Sequence, residues 1–400
     1  MKPIVITKLS FMMLLEYFIW GSWYVTMSTY MSQFLGASSV QIGAAYSALA
    51  IATMISPFFI GLVADRYFSA QRIMAFLHIG GAVLLYFASQ IQDNTTFYWI
   101  ILFYSLLYMP TIALSNNIAF HQMSDPGKMF PWIRVFGTVG WIVSGLMIIT
   151  LKIEGTEFTF QMAAIASLIL GLFSFILPDT PPKGKEADAT ASSILGTDAF
   201  VLFKNKPYLI FFIAAVLVCI PLSFYYELAN LFLNDVGMED AAGKMTLGQV
   251  SEALFILAIP FLFYRIGVKN MIIIGMIAWF LRYVCFAHGD NGSDLWMLYA
   301  GIILHGICYD FFFVTGYMYT ERKAGEKIKN AAQGLFTFAT YGLGMFIGTW
   351  VAGFVGDHYT TNEGQYDWTS IWYVPAGISV LVLIYFILFF KEKRDIKPAT

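Results

Sequence analysis

Charged residues are scarce in this chain of 400 residues. Asp, Glu, Lys and Arg make up only 12% of it, whereas 58% of the residues are hydrophobic and 18% are aromatic. The mean hydropathy is +0.69, and so much apolar side chain exceeds what one water-soluble core of this length can bury. The composition therefore predicts a polytopic membrane protein.

The chain also lacks the features of several function classes. A net charge of −2 provides no basic face for nucleic acid. Its three cysteines, Cys219, Cys285 and Cys308, form no CxxC pair and no metal-ligand spacing. The glycine-rich segment 342–348 lacks the Lys-Ser/Thr pair of a phosphate loop. We therefore expect no enzyme activity, no cofactor and no metal, and any transport must draw on an ion gradient or run downhill.

Twelve apolar segments are long enough to cross about 30 Å of hydrocarbon as helices. They are predicted at residues 9–31, 40–63, 72–91, 97–120, 131–151, 159–178, 208–233, 247–265, 270–288, 295–319, 331–355 and 370–390. The longest polar stretch follows the sixth segment. The predicted protein is all-α, with an N-terminal six-helix half at 1–178, a cytoplasmic central loop at 179–207 and a C-terminal six-helix half at 208–400.

Lys and Arg residues are unevenly divided between the two sides of this arrangement. An even number of spans puts both termini on one side, and that side has 19 of the 23 Lys and Arg residues. The opposite side has only Lys152 and Lys244, while Arg134 and Arg282 fall at or inside spans. By the positive-inside rule, both termini are expected in the cytoplasm.

The loop after the second span contains a recognisable motif. Gly61, Asp65 and Arg66 resemble the G-x-x-x-D-R/K signature of the major facilitator superfamily, and Arg72 follows shortly after. Glycine lets helices approach closely, Asp can lie at a helix N-terminus, and the arginines can connect cytoplasmic helix ends. With twelve spans and a central loop, this gating motif predicts the major facilitator fold, in which substrate lies near mid-membrane between two repeats.

Several ionisable side chains remain inside the predicted spans, each costing about 2.5–3.5 kcal/mol or more at the bilayer centre unless paired, hydrated or neutralised. They are Glu16, Arg134, Glu227, Glu252, Arg282, His305 and Asp310. Burial favours the neutral form of an acid and a nearby cation favours the ionised form. We expect Asp310, in mid-span, to carry a proton or bind substrate. The alternative is a fixed ion pair or a hydrogen-bonded acid that joins two helices.

Two of these groups share a helix face with other polar residues. Glu252 lies three residues after Gln249, and the pair suits a ligand rich in hydroxyls or ring nitrogens, or else makes an interhelical hydrogen bond. Arg134, with Thr138 and Trp141, forms an i, i+4, i+7 stripe. From its position alone, Arg134 is expected to extend towards the cytoplasmic interface.

A similar stripe on the first span contains Glu16, Trp20 and Trp23. An acid beside two indoles can bind a sugar or a base face, whereas tryptophans near helix ends can also be interfacial anchors. Both interpretations remain open.

The other ionisable groups have simpler expectations. Glu227, near the outer end of the seventh span, is expected to be hydrated. His305 shares a face with Tyr309 and is expected to be a hydrogen-bonded structural residue. Arg282 is expected to pair with an acid.

The sequence resembles a narrower family over nearly its whole length, the bacterial nucleoside:proton symporters of the major facilitator superfamily. The similarity is carried, in order and with few gaps, by WGSW (20–23), IGAAYSALAIA (42–52), GLVADRYFSA (61–70), YMPTIAL (108–114), IRVFGTVG (133–140), SEALFILAIPF (251–261), AWFLRY (278–283), YDFF (309–312) and AAQGLF (331–336). The resemblance implies a monomeric, proton-coupled nucleoside importer of the bacterial inner membrane that works by alternating access. Its expected partners are a nucleoside, protons and the lipid bilayer.

The resemblance also implies roles for individual residues. Arg134 and Thr138 would face the central cavity, Gln249 and Glu252 would contact the ribose or base, and Tyr309 would pack on the ligand. Asp310 would be the proton-coupling acid, with Glu252 as a second acid of that site.

The sequence departs from the family pattern at three substrate positions. Ser223 and Tyr226 replace a glutamine and an asparagine of the seventh span, and Glu16 replaces a glutamine of the first. Two amides that could read a base edge are lost and a carboxylate is gained. Together with Trp20, these changes leave a proton-coupled sugar or amino-sugar symporter as the alternative function. A membrane receptor is less compatible, since it needs neither the inner-loop motif nor a mid-membrane acid.

Overall fold

The computed structural model of the chain describes residues 2–59, 67–124, 126–182, 197–361 and 363–392. Throughout these ranges the regular structure is helical, apart from one isolated bridge between Thr360 and Tyr366. The all-α fold class is confirmed. The chain divides into two compact units, Met1–Ala37 with Ala44–Ile194, and Ser38–Gly43 with Leu195–Thr400.

The first unit is built from membrane helices that pack side by side. These are α1 (Pro3–Trp23), α2 (Met27–Gln33), α3 (Ser39–Phe59, whose first five residues are grouped with the second unit), α4 (Ala70–Ala88), α5 (Asn94–His121), α6 (Pro126–Leu151) and α7 (Phe158–Ser174). Helix α1 packs mainly against α6 and α7, and α4 packs against α5 and α7. Close contact depends on small residues, since a Cβ on Gly171 of α7 would meet the Ala75 carbonyl of α4 at 3.1 Å.

Helix α5 begins where its sequence provides an N-cap. The Asp93 carboxylate accepts hydrogen bonds from Thr96 Oγ1 and from the Thr96 backbone N–H, both at 2.7 Å. These two bonds lower the pKa of Asp93 below its ordinary value of 3.8, because they stabilise the ionised carboxylate.

The second unit contains more numerous and less regular helices. They are a 3₁₀ helix (Thr197–Lys204), α8 (Lys206–Asp235), α9 (Ala241–Ile266), α10 (Val268–His288), α11 (Leu295–Ile303), α12 (His305–Tyr309), a π-helical turn (Asp310–Val314), α13 (Thr315–Thr337), a second π-helical segment (Phe338–Gly344), α14 (Met345–His358) and α15 (Trp368–Phe389). Only Gly267, with φ 85°, separates α9 from α10. A left-handed φ is readily accessible to glycine.

Ten helices among the described residues are long and apolar enough to cross a membrane. Two of the predicted segments are not among them. Segment 159–178 falls on α7, an apolar helix of only 17 residues, and segment 247–265 falls on α9. The count of twelve spans therefore stays a prediction.

The helix of the tenth segment continues past its predicted end at residue 319. Residues 320–324 are helical, and the break between the two spans begins at Gly325, where φ is 65°, and includes Ile328, where φ is −125°. The reason lies in the composition of TERKA, since Glu, Arg, Lys and Ala are good helix formers although most of them are polar.

Candidate functional site

Glu16 lies in a buried hydrogen-bond network of the first unit. Its Oε2 is 3.0 Å from Nε2 of His78, and its Oε1 accepts a hydrogen bond from Thr111 Oγ1 at 2.6 Å. Its backbone carbonyl accepts a hydrogen bond from the Tyr108 hydroxyl at 2.6 Å. The His78 ring extends the network to Ser167 Oγ at 3.2 Å. The Glu16 carboxylate is completely buried, and both of its oxygens are engaged by neighbours from other helices.

His78 and Thr111 were not foreseen from the sequence. His78 is an ionisable residue inside the third predicted segment, so the criterion that selected Glu16 would also have selected His78. Thr111 carries no such signal, because threonine is common in membrane helices and its partner is 95 residues away.

Trp20 and Trp23 have different surroundings in the first unit. The Trp20 ring packs edge-to-face on Trp141, with centroids 5.5 Å apart, and its buried indole N–H has no hydrogen-bond acceptor among the described residues. Trp23 is completely buried and packs on Tyr104 at 5.5 Å. Complete burial excludes the interfacial-anchor interpretation for Trp23.

Arg134 lies against the first helix. Its guanidinium carbon is 4.0 Å from the centroid of the Tyr17 ring, a cation–π geometry. Arg134 and Thr138 are both half-buried on α6. Gly137 lies between them, and a Cβ there would meet Tyr17 Cδ2 at 2.7 Å. The stripe predicted on α6 therefore lies at its contact with α1.

Asp310 is the first residue of the π-helical turn and is completely buried. Neither of its carboxylate oxygens has a hydrogen-bond partner in the part of the chain that the structure describes. An ionised carboxylate without partners is very costly to bury, so this geometry favours the protonated form. Single π-helical turns occur frequently at functional sites.

Glu252, His305 and Arg282 form a connected row beside Asp310. His305 Nε2 is 3.7 Å from Glu252 Oε2, and His305 Nδ1 is 3.1 Å from Arg282 Nη1. The guanidinium carbon of Arg282 lies 3.3 Å from the centroid of the Tyr225 ring. Glu252 interacts electrostatically with Asp310. His305 and Arg282 are buried, whereas the Glu252 side chain is 25% exposed.

Two expectations about these groups were wrong. Arg282 makes no ion pair with a carboxylate among the described residues, because His305 and the Tyr225 ring occupy its surroundings. Glu227 is completely buried rather than hydrated, and its carboxylate has no hydrogen-bond partner within the described ranges.

Two aromatic residues of the predicted site, Tyr309 and Tyr226, lie beside His305. The Tyr309 ring centroid is 5.6 Å from that of His305, and the Tyr226 ring lies edge-on at 6.3 Å. The Tyr309 hydroxyl shares a hydrogen bond with the Tyr341 hydroxyl. Glu252, Tyr226 and Tyr309 are therefore grouped around one imidazole.

Three other predicted residues, Ser223, Gln249 and Arg72, range from completely buried to exposed. Ser223 is completely buried, and its hydroxyl donates to the Cys219 carbonyl of the same helix at 2.9 Å. Gln249 is nearly buried on α9, one turn before Glu252. Arg72 is exposed near the start of α4.

Part of the gating motif and any metal site can be described only briefly. Gly61, Asp65 and Arg66 lie outside the described residues. Among the residues that are described, no group of three or more His, Cys, Asp and Glu could hold a metal ion.

The site's buried acids and aromatic residues occur in a chain that matches a known family. A family model described as nucleoside H⁺ symporter matches residues 4–395. The chain belongs to the nucleoside H⁺ symporter family. It is 41% identical to the candidate nucleoside transporter YegT of Escherichia coli K12, over 97% of this chain and 94% of that protein. It is 34% identical to the xanthosine permease of the same organism, over 97% and 96% of the two chains.

Solved structures of this symporter family have the same fold. The crystal structure of the nucleoside transporter NupG is 35% identical, covers 97% of this chain and 100% of its own, and has a TM-score of 0.90. The POT family transporter PepTSo, which covers 97% of this chain and 98% of its own, has a TM-score of 0.73 at 14% identity, a likeness of fold alone. The fold of the chain is therefore that of a major facilitator transporter.

Proposed function

We propose that this symporter imports nucleosides together with protons across the bacterial inner membrane by alternating access. Family membership supports this proposal, and the observation that carries it is the buried Asp310 carboxyl group without partners. In the proposed cycle, Asp310 takes up a proton from the outside. Protonation removes a charge whose burial would oppose closure of the site, and release of the proton to the cytoplasm resets the protein.

We propose substrate roles for residues of each unit. In the first unit these are Arg134, Thr138, Trp20 and Glu16, and in the second unit Ser223, Tyr226, Gln249, Glu252 and Tyr309. The contacts rank these candidates. Glu252, Tyr226 and Tyr309 are grouped around His305, which supports a direct role, whereas Glu16 and Ser223 are engaged by protein neighbours and are the weakest candidates.

We further propose that the functional unit is a monomer with both termini in the cytoplasm, and that residues 1–178 and 208–400 are its two halves. The gating motif of Gly61, Asp65, Arg66 and Arg72 would act at the cytoplasmic face. The sugar-symporter alternative is weakened, because the Glu16 carboxylate that favoured it is occupied by His78 and Thr111.

Uptake into proteoliposomes tests the proposal. Labelled uridine, adenosine and glucose are offered with and without an inward proton gradient. We expect nucleosides to accumulate above the external concentration only with the gradient, and glucose not to accumulate. Accumulation of glucose alone would contradict the nucleoside assignment.

The Asp310→Asn variant tests the proton-carrying role. We expect it to lose gradient-driven accumulation while retaining counterflow exchange of nucleoside, because the site stays neutral throughout the cycle. Asp93→Asn, at an exposed helix cap outside the site, is the matched control and should transport like the wild type. Full uphill accumulation by Asp310→Asn would show that another group carries the proton.

A further inference from the structure

The hydrogen bond between Arg282 and His305 determines the protonation of the imidazole. A guanidinium group has only donors, so the His305 Nδ1 that lies 3.1 Å from Arg282 Nη1 must be the acceptor. The ring proton is then on Nε2. A doubly protonated imidazolium would place two cations in contact inside a buried site, so His305 is neutral.

This tautomer directs the Nε2–H group of His305 towards Glu252. The two atoms, Nε2 and Oε2, are 3.7 Å apart, and a small movement brings them to hydrogen-bond distance. Arg282 is itself held in place by the faces of Tyr225 and Trp279, whose centroids lie 3.3 and 5.6 Å from its guanidinium carbon. The positive charge of Arg282 therefore favours the ionised form of Glu252, and the neutral His305 ring between them directs its Nε2–H group at the Glu252 carboxylate.

The two acids near this row have different surroundings. Glu252 is partly exposed and has His305 beside it, with Arg282 behind His305. Asp310 is completely buried and its oxygens have no hydrogen-bond partner in the described chain. Arg282 is the cation of this row among the described residues, and its charge compensates one ionised acid. The row together with Asp310 would carry a net negative charge if both acids were ionised.

We infer that Arg282 and His305 are positioning residues that keep Glu252 ionised as a hydrogen-bond acceptor for the nucleoside, so that Asp310 alone exchanges the transported proton. The inference rests on the proposed function and divides two roles that the sequence assigned jointly to Glu252 and Asp310. An ionised carboxylate accepts hydrogen bonds from two ribose hydroxyls at once, which a protonated acid does less well.

Charged and titratable side chains of the described residues lie on α9 and on every helix that packs on it. They include Tyr225 and Tyr226 on α8, Arg282 and Tyr283 on α10, Tyr299 on α11, His305, Cys308 and Tyr309 on α12, Asp310 in the π-helical turn, and Lys244 and Arg265 near the ends of α9 itself. Tyr and Cys change charge only in alkaline solution and Lys and Arg stay cationic near neutral pH. Asp310, Glu252 and His305 are therefore the groups whose titration the experiment must separate.

The experiment measures binding of tritiated adenosine and uridine to the purified protein from about pH 5.5 to about pH 8.0. This range separates the titrations of Asp310, Glu252 and His305, because displaced carboxyl and imidazole groups change charge within it. All variants are made in an Asp310→Asn background, which removes the titration of Asp310. The variants are Arg282→Gln, Arg282→Lys, and Arg282→Gln combined with Glu252→Gln.

The expected result is a change in the pH profile. The Asp310→Asn protein should bind with a Kd that is nearly independent of pH. Adding Arg282→Gln should make binding weaken towards acid pH by up to about tenfold per pH unit, as Glu252 becomes protonated. Arg282→Lys should restore much of the flat profile. Adding Glu252→Gln should remove the pH dependence and leave uniformly weak binding.

His305 gives an independent test if the Arg282 variants fold poorly. His305→Gln can accept a hydrogen bond from Arg282 through its carbonyl and donate one to Glu252, so its profile should stay flat. His305→Leu can do neither and should bind with the acid-weakened profile.

Three results would overturn the inference. The first is an equal loss of affinity at every pH in Arg282→Gln or His305→Leu, which would mark a purely structural role. The second is loss of binding in Asp310→Asn while the wild type binds, because Asp310 would then belong to the binding site. The third is absence of nucleoside binding by the wild type, which would refute the proposed function itself.

Discussion

At the scale of single residues, acids within the membrane helices of this symporter differ in how their charge is compensated. Glu16 has a histidine and a threonine on its two oxygens, Glu252 has an imidazole at ion-pair distance, and Asp310 has no hydrogen-bond partner in the described part of the chain. The cost of burying an acid depends on those partners. These differences support the roles proposed above, ligand binding for Glu252 and proton exchange for Asp310, and they give Glu16 a structural role.

Removing His78 should destabilise the first unit. His78→Leu leaves the Glu16 carboxylate buried with only Thr111 as a side-chain partner, and loss of one member of a buried pair costs about 3–5 kcal/mol. We expect a clear drop in melting temperature in detergent. Glu16→Gln combined with His78→Leu removes the uncompensated charge and should recover much of the loss. An unchanged melting temperature in the single variant would mean that the pair does not stabilise the protein.

The sequence predicted most of the ionisable positions within the membrane helices, but few of the residues that those side chains contact. Ionisable residues inside apolar segments are visible one by one, as Glu16, Glu252 and Asp310 were. Their partners depend on which helix faces meet. Arg282 could have met any acid, and it meets His305 because α10 packs beside α12.

At the scale of helices, the position of Glu252 depends on close contact between α9 and α12. Ser251 Oγ donates a hydrogen bond at 2.6 Å to the carbonyl of Ile303, the last residue of α11, two residues before α12 begins. A Cβ on Gly306 would meet the Ser251 carbonyl carbon at 2.5 Å and the Glu252 backbone nitrogen at 2.6 Å. These are backbone atoms, so no side-chain rotation can make room.

Gly306→Ala should therefore disturb both stability and binding. Overpacking typically costs about 1–3 kcal/mol, and here the displaced backbone carries Glu252. We expect a lower melting temperature and weaker nucleoside binding in the same variant. Gly377→Ala on α15 is the control, since nothing lies within 4 Å of a Cβ there. Wild-type affinity in Gly306→Ala would show that the helix contact does not determine the site.

Helix positions were easier to predict than helix breaks. Long apolar segments such as 208–233 and 270–288 correspond to α8 and α10, because hydrophobic length alone identifies a membrane helix. The π-helical turn at Asp310–Val314 has no signal in its composition. The helical structure of residues 320–324, just before Gly325, was also missed. The polarity of these residues suggested a loop, whereas their helix propensity favours a helix.

At the scale of the whole molecule, the distribution of Lys and Arg predicts the orientation in the membrane. Nineteen of the 23 basic residues fall on the side of the termini if there are twelve spans. A green fluorescent protein fused after Thr400 should therefore fluoresce, and alkaline phosphatase fused at Gln92, in the loop between α4 and α5, should be active. An active phosphatase fused at the C-terminus would contradict the predicted cytoplasmic C-terminus. If the Gln92 fusion were active as well, the number of spans would be odd.

The overall fold was predictable because it follows from hydrophobic length, charge distribution and a short inner-loop motif. The family followed from similarity along the whole chain, which the match over residues 4–395 bears out. The assignment of nine substrate positions remains a proposal. Side-chain roles depend on contacts that one sequence does not encode locally, as the engagement of Ser223 with its own helix illustrates.

The single glycine between α9 and α10 has a consequence for biosynthesis. Helix α9 contains Lys244, Glu252 and Arg265 and is not among the ten described helices that are long and apolar enough to cross a membrane, whereas α10 is. A ribosome delivers α9 to the translocon first, where a moderately polar segment partitions poorly into lipid on its own. Because only Gly267 separates the two helices, α9 can stay at the translocon until α10 is synthesised. The two helices can then enter the bilayer together as a helical hairpin. The charged residues of α9 would then be tolerated during insertion because of the apolar helix that follows.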